Sequence, residues 1–371
     1  MIKKRIAILF LSSLIALLLL EISLHLLYKN PYVLPDENAY LHYPNLHLKF
    51  SNLDTLYKEA PDIVSFNTSD LGYIESSSTR NFDPRTNPQT YAISLGGSTT
   101  ESAVIQEDRR WSDLLVIPTL NYGKSKVFSV QSYFNLTYIL EVLRLRPQHL
   151  LIMHGINDIW TYIGDGAQEF EPKTYQYIVG NPWTDFVVKH LYLPTFLWRL
   201  SKEYNYYAFY RYEARRSLSF PPMSKSAFQH FLRIFEETLK PKLHNLYRKM
   251  ALKAEPFEAQ LIIQTKPHAY RADYIPYRDD LRSFPVVNGR RMTLLQAQKI
   301  MDSYRNLLFD IAHQQHFPLV DVANCFAHVN VGDLIYDSVH LTEKGSRYFA
   351  DCVNGPLQSE INIRRAQKID R

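Results

Sequence analysis

Short apolar runs alternate along this chain with longer segments in which apolar residues recur at every third or fourth position. Short apolar runs bounded by turn residues are typical of buried β-strands. The sequence predicts five of them, at residues 91–95, 119–123, 150–153, 260–264 and 319–322. The second run follows Pro118, which has no backbone N–H to donate, so this strand is predicted to lie at the edge of a sheet.

The longer segments predict helices, because their apolar residues fall on one face at the helical period. Helices are predicted over residues 107–115, 127–145, 226–253 and 293–314. Pro241 lies inside the third and is expected to kink or interrupt it. A last helix is expected to begin near Thr342, whose hydroxyl can cap it. Strands that alternate with helices predict an α/β fold, in which a parallel sheet is covered on both faces.

The N-terminus has a different pattern. Basic residues at positions 3–5 precede an apolar stretch over 6–20 that continues more weakly to Tyr28. Residues 6–28 are long enough for a helix to cross a bilayer, and the basic flank predicts a cytoplasmic N-terminus. A cleaved signal peptide is the alternative. Because no pair of small residues at cleavage-site spacing directly follows the run, an uncleaved single-pass anchor in the inner membrane is favoured, with the rest of the chain periplasmic.

These patterns divide the 371 residues into three parts. Residues 1–30 hold the cytoplasmic tip and the transmembrane anchor. Residues 31–90, rich in Pro, Asn and Ser, are predicted to be a linker with some extended structure. Residues 91–371 are predicted to form one large domain, since a chain that is 46% hydrophobic can bury a full core. Within it, an aromatic-rich stretch at about 159–257 has no clear strand signal and is predicted to be a helical insertion.

Composition narrows the possible partners. The net charge of +5 is mild and no dense Lys/Arg block follows the N-terminal tip, so no nucleic-acid partner is expected. The aromatic content of 13% fits a carbohydrate-facing or membrane-proximal surface, and equally fits the packing of an irregular insertion. Cys325 and Cys352 could form a disulfide or stay as two unpaired thiols, and their spacing does not decide between these.

Polar residues and glycines follow the predicted strands at the points where the strands end. Ser98 follows two glycines after the first strand, and Gly123, Asn157, Asp337 and His340 follow later ones. Because the carboxyl ends of parallel strands meet at one edge, these residues are expected to converge on one crevice. Taken alone, Ser98 also fits a helix cap or an anion-binding loop.

The residue types suit nucleophilic catalysis. A serine hydroxyl attacks a carbonyl carbon only when a base removes its proton, and His340 is the candidate base for Ser98. Asp337 precedes His340 by three residues and can accept a hydrogen bond from the imidazole, which fixes the tautomer. The backbone N–H groups of Ser98 and Gly123 and the side-chain amide of Asn157 are candidate donors to the negatively charged oxygen that forms.

Four blocks of sequence carry a resemblance to a known family. They are GGST at 96–99, NYG at 121–123, GIND at 155–158 and DSVH at 337–340. In order and spacing they resemble the blocks of the SGNH (GDSL-type) hydrolases, over about residues 90–355. The GGST block, where the family usually has GDS, is similar to a membrane-anchored bacterial branch. The second block lacks the family's usual later glycine.

The resemblance implies a flavodoxin-like, three-layer α/β/α domain. It also implies a catalytic set of Ser98, Gly123, Asn157 and His340, with Asp337 orienting His340. The implied activity is that of a serine hydrolase, either an esterase or an acyltransferase.

Several other polar residues are expected to be structural. His154 is expected to be packed or to line the crevice, and Glu101 to be a first-turn helix carboxylate. Asp158 is expected to shape the loop of Asn157 or to be solvated, and Asp321 to be a loop residue.

No metal and no cofactor are expected. His313 and His316 have a spacing typical of metal ligands, but no third ligand accompanies them, so a solvated helix face is the favoured interpretation.

Three functions therefore compete. The first is a serine esterase that removes O-acetyl or similar acyl groups from an extracytoplasmic glycan or envelope polymer, through an acyl-enzyme on Ser98. The second is acyl transfer, in which a sugar hydroxyl replaces water and the 159–257 insertion selects the acceptor. The third is a non-catalytic envelope assembly or binding protein, tethered by residues 6–28. Expected partners are an acylated glycan or small ester and the membrane.

Overall fold

The computed structural model describes residues 2–27, 40–86 apart from 43, 52, 54 and 55, 90–159, 193, 206–271 and 279–369. Most of the first half of the predicted insertion, residues 160–205, therefore lies outside the described residues. In the second half, residues 206–219 and 225–257 are helical.

The domain is built on a parallel sheet of five strands in the order β4-β3-β5-β6-β9, flanked by helices. In chain order the strands are β1 His47–Ser51, β2 Ile63–Asn67, β3 Ala92–Gly96, β4 Thr119–Asn121, β5 His149–Met153, β6 Gln260–Gln264, β7 Val286–Val287, β8 Arg290–Arg291 and β9 Leu319–Val320. The five predicted strands are those of the sheet, and the strand after Pro118 is at its edge, as predicted. This order is the flavodoxin-like one, and the predicted α/β fold is confirmed.

The described helices cover both faces of the sheet. They are α1 Ile2–Leu27, α2 Ser98–Glu101, α3 Ser129–Thr137, α4 Ile156–Ile159, α5 Tyr206–Ser219, α6 Lys225–Ile234, α7 Lys240–Ala254, α8 Leu294–Gln315, α9 Val322–Ala327 and α10 Glu343–Ile369. Successive side chains of a strand point to opposite faces. In β5, Leu150 and Ile152 accordingly join one hydrophobic core, while Leu151 and Met153 join the other.

One predicted helix differs from the structure, and another is interrupted where a break was expected. The segment predicted to be a helix over 107–115 is only a short 3-10 turn, Trp111–Leu114. Asp108 has a φ of 65°, which an α-helix does not accommodate, and its N–H donates to Asp113 Oδ2. The break expected at Pro241 occurs as a π-helical turn, Phe235–Leu239, directly before α7. The wider turn accommodates a residue that lacks a backbone N–H.

The described part of residues 31–90 is packed against the domain, so the prediction of a linker is wrong for it. β1 and β2 pair in antiparallel fashion, and Val64 and Phe66 of β2 are buried together with Leu53. The N–H of Ile74 donates to the carbonyl of Asn121, 2.8 Å away, and this covers the edge strand β4. The short apolar pieces of this segment thus complete the core of the domain.

Helix α1 contains a stretch, Phe10–Leu27, that is long and apolar enough to cross a membrane. Its described side chains are mostly exposed in the isolated chain. A membrane anchor and a signal sequence both have these properties.

Cys325 and Cys352 are both free thiols, so of the two arrangements left open by the sequence the structure contains the unpaired one.

Candidate active site

Strands β3 and β5 are adjacent and pair over their full length, with Gly96 opposite Met153. Their carboxyl ends therefore lie side by side, and the chain leaves each strand into a short helix. Ser98 is the first residue of α2, and Asn157 lies in the first turn of α4. Because the first N–H groups of a helix have no acceptor within it, the amide of Ser98 is available to a ligand.

Gly97 allows these two elements to approach closely. A Cβ at this position would lie 2.4 Å from Asn157 Nδ2 and 3.1 Å from the carbonyl oxygen of Val127. Any other residue would force the amide of Asn157 to move. The glycine before the serine is thus explained by the contact between the two helix starts.

Ser98, His340 and Asp337 form a continuous chain of hydrogen bonds. Ser98 Oγ lies 2.7 Å from His340 Nε2, across 242 positions of sequence. His340 Nδ1 lies 2.6 Å from Asp337 Oδ2. Since a carboxylate only accepts, Nδ1 carries the hydrogen, and Nε2 of the neutral ring can accept the proton of Ser98. The three residues predicted from the sequence to act together are in bonding contact.

Asp337 is buried and held as a carboxylate. Its Oδ1 accepts the backbone N–H groups of Val339 and His340, both at 2.8 Å. Burial alone would raise the pKa of Asp337, but the facing imidazole and these N–H groups hold that pKa below its ordinary value. The carboxylate is therefore ionised at neutral pH and is placed where it can stabilise a positive charge on His340.

Asn157 is positioned by its own hydrogen bond and by its neighbour. One hydrogen of Nδ2 donates to the carbonyl of Val127 at 2.9 Å, which leaves the second for another acceptor. The carboxyl of the buried Asp158 accepts the N–H of Ser129 at 2.7 Å and the hydroxyl of Tyr304. These contacts fix α4, so Asp158 shapes the loop, as predicted.

Gly123 lies next to α2, but its amide already has a partner. The N–H donates to Asn121 Oδ1 at 2.9 Å, and this bond would have to break before Gly123 could donate to an oxyanion. A Cβ at Gly123 would lie 2.4 Å from the backbone nitrogen of Glu101. In this structure the glycine allows α2 to pack closely, and its role in an oxyanion hole stays a prediction.

A cavity of about 400 Å³ opens in front of Ser98, His340 and Asp337, the triad. Ser98, Asn157 and His340 lie on its wall. The rest of the described lining combines aromatic, cationic and hydroxyl side chains, among them Phe220, Tyr270, Phe284, Lys126, Arg216 and Ser283. The cavity therefore offers apolar faces and hydrogen-bonding groups together, beside the nucleophile.

A polar cluster beside the triad was not predicted from the sequence. Glu101 is buried, His42 Nε2 lies 3.2 Å from Glu101 Oε1, and the Ser125 hydroxyl bonds Glu101 Oε2. Glu101 does end α2, as a carboxylate of a one-turn helix. His42 lies in the segment interpreted as a linker, and neither His42 nor Ser125 belongs to a motif. The sequence hints at this cluster only through the position of Ser125, two residues after the NYG block.

The other polar residues considered in the sequence lie outside the hydrogen-bonded chain of Ser98, His340 and Asp337. His154 is buried with Nε2 2.9 Å from Ser132 Oγ, and burial lowers its pKa to about 3, so it is packed as an uncharged imidazole. Asp321 caps α9 and pairs with Arg305. His313 and His316 are exposed, and within the described residues no group of side chains could hold a metal ion.

Comparisons with known proteins give likenesses of fold only. No family model and no curated protein matches the chain. A member of the lipolytic protein G-D-S-L family from Veillonella parvula is similar with a TM-score of 0.39 and 13% identity, covering 71% of this chain and 96% of that chain. A variant of Axe2, an acetyl xylan esterase from Geobacillus stearothermophilus, has a TM-score of 0.37 and 14% identity, covering 72% of this chain and 94% of that chain. At such values these likenesses carry no argument about activity or substrate.

Proposed function

We propose that this chain is a serine esterase of the SGNH type that cleaves acyl esters through an acyl-enzyme on Ser98. The observation that carries the proposal is the hydrogen-bonded chain from Ser98 through His340 to Asp337. A serine oxygen 2.7 Å from the unprotonated nitrogen of an oriented imidazole is the arrangement that nucleophilic catalysis requires. A non-catalytic protein has no need of it.

The first half of the reaction forms the acyl-enzyme. His340 Nε2 takes the proton of Ser98 while Oγ attacks the carbonyl carbon of the ester. The oxygen of the tetrahedral intermediate becomes negative and accepts hydrogen bonds from the N–H of Ser98 and the second amide hydrogen of Asn157. The imidazolium is stabilised by Asp337 and then protonates the leaving alkoxide. Water then replaces the alcohol: it gives a proton to His340 as its oxygen attacks the acyl carbon, and the acid leaves as Ser98 regains the proton.

The substrate we propose is an O-acetyl or similarly small acyl ester on an extracytoplasmic glycan or envelope polymer. The cavity supports this, since aromatic faces suit sugar rings and the hydroxyl and cationic groups suit their substituents. Helix α1 supports attachment to a membrane. We place the chain in the membrane-anchored bacterial branch of the family, with α1 in the inner membrane and the catalytic domain in the periplasm.

The test uses the full-length protein in detergent, with 4-nitrophenyl acetate as substrate and a fluorophosphonate as active-site label. We expect hydrolysis by the wild type and covalent labelling of Ser98. Ser98→Ala should lose labelling and lower kcat by about 10,000-fold or more. Ser132→Ala, which removes another buried serine hydroxyl, serves as a control that keeps labelling. Hydrolysis that survives in Ser98→Ala would refute the proposal.

A further inference from the structure

A second, much smaller cavity adjoins the triad. Its volume is about 10 Å³, close to the space that a single water molecule needs. Ser98, Ser125 and His340 line both this cavity and the larger one, and Glu101 lines the small one. The small cavity therefore lies where a molecule the size of water could contact both the base and the acylated serine.

The hydrogens of the neighbouring polar cluster can be assigned from its acceptors. His42 Nε2 lies 3.2 Å from Glu101 Oε1 and 3.1 Å from the carbonyl oxygen of Gly123. Both partners accept, so this nitrogen carries a hydrogen. The other oxygen of Glu101 bonds the hydroxyl of Ser125, and a carboxylate can only accept. The hydrogen of Ser125 is thus committed to Glu101.

The consequence is that Ser125 Oγ acts only as an acceptor toward the cavities. A molecule that contacts both Ser125 Oγ and the unprotonated Nε2 of His340 must donate one hydrogen to each. Water has two hydrogens and can do so, whereas an alcohol has one and must leave one acceptor unsatisfied. Leaving a buried acceptor without a donor is costly.

We infer that Ser125, with Glu101 and His42 as positioning residues, binds the hydrolytic water and favours it over an alcohol as the second nucleophile. This inference rests on the proposed acyl-enzyme. Water donates one hydrogen to Ser125 Oγ and the other to His340 Nε2, and its oxygen faces the acyl carbon. The cluster therefore directs the enzyme toward hydrolysis rather than acyl transfer.

Deacylation needs only water, His340 and the acylated Ser98. The O–H bond that faces His340 breaks and its proton passes to Nε2, while the water oxygen bonds the acyl carbon. The tetrahedral intermediate then collapses, and the bond from the acyl carbon to Ser98 Oγ breaks. Oγ takes the proton back from His340, and the carboxylic acid leaves.

The experiment measures how the acyl group divides between water and an alcohol. Full-length protein in detergent is given 4-nitrophenyl acetate with methanol as competitor, and the ratio of methyl acetate to acetate is determined. Ser125→Ala removes the acceptor, so we expect this ratio to rise about 10-fold, the effect of one lost hydrogen bond. Ser125→Thr keeps the hydroxyl and should restore the wild-type ratio.

Glu101→Gln tests the positioning residue. The carboxamide can donate to Ser125 and release the serine's hydrogen toward the cavity, so the ratio should rise in the same direction. Glu107→Gln is the matched control, because Glu107 pairs with the exposed Arg80 and does not line the cavities. It should leave the ratio unchanged.

The ratio is measured after acylation, so a general loss of folded protein does not move it. An unchanged or lower ratio in Ser125→Ala would overturn the inference while leaving the acyl-enzyme intact. If the wild type forms no acyl-enzyme on Ser98, the proposed function itself fails and this inference falls with it. The two failures are therefore distinguishable.

Discussion

Two buried aspartates, Asp337 and Asp158, lie at the site, and their surroundings give them opposite chemistry. Asp337 faces His340 and two backbone N–H groups, and its pKa stays below the ordinary value. Asp158 also is fully buried, but its partners are the hydroxyl of Tyr304 and the N–H of Ser129. Burial raises the pKa of Asp158 to about 6, although these two partners lower it.

The difference lies in the partners rather than in the burial. Desolvation acts against the charge of both carboxylates, but only Asp337 has an ionisable imidazole as a direct hydrogen-bonding partner. Asp337 can therefore compensate a positive charge that forms on His340 during the reaction. Asp158 has no such contact with the base and instead holds α3, α4 and α8 together. One carboxyl is thus catalytic in our account and the other is structural.

The largest expected effect comes from exchanging each carboxyl for its amide. Asp337→Asn should lower kcat by about 10,000-fold, because the amide favours the wrong tautomer of His340 and cannot stabilise its charged form. Asp158→Asn, the matched change, should lower kcat less than about 10-fold. Steady-state hydrolysis of 4-nitrophenyl acetate measures both. Equal losses in the two variants would contradict the assignment of a catalytic role to Asp337 and a structural role to Asp158.

A smaller effect is expected from the residue before Asp158. Asn157→Ala removes the amide that we propose donates to the oxyanion, so kcat should fall about 100-fold while KM stays nearly constant. This result would assign the catalytic contribution of α4 to Asn157 rather than to the adjacent carboxyl. A loss in KM with kcat unchanged would instead indicate a role in substrate binding.

The smallest effect is on the pH dependence of stability. The folded pKa of Asp158 is about 6, above the unfolded value of about 4, so the folded state binds more protons between these values. The stability that Asp158 contributes is present below about pH 4 and is lost as the pH rises through about 6. The free energy of unfolding of the wild type, relative to Asp158→Asn, should therefore fall by about 1–3 kcal/mol from about pH 4 to about pH 7.

Denaturant unfolding of both proteins in the same detergent measures this difference. Asp337, whose folded pKa is lowered, should contribute with the opposite sign. Its stability is present above about pH 4 and is lost as the pH falls through the folded value. If the free energy of unfolding of the wild type, relative to Asp158→Asn, rose with pH, the raised pKa of Asp158 would be contradicted.

Much of the fold follows from patterns that act locally. The five sheet strands are short apolar runs, and the start of α8 has Thr293 as a cap that accepts the N–H of Gln296. The triad could be predicted because its residues follow strand ends, and parallel strands end at one edge.

The remaining features depend on contacts that local sequence patterns do not show. Residues 31–90 resemble a linker because their apolar pieces are short, yet β2 belongs to one hydrophobic cluster with Tyr336, more than two hundred positions away. The contact of His42 with Glu101 likewise joins residues that no local pattern connects. The partner of the Gly123 amide is a side-chain oxygen, which no backbone pattern reveals.

The most direct measurement is the capture of the covalent intermediate. Full-length protein mixed with 4-nitrophenyl acetate is quenched in acid within milliseconds, digested and analysed by mass spectrometry. The account predicts an acetyl ester on the peptide that contains Ser98, formed before steady state and absent from Ser98→Ala. Rapid release of nitrophenol with no acetyl group on Ser98 at any time would contradict it.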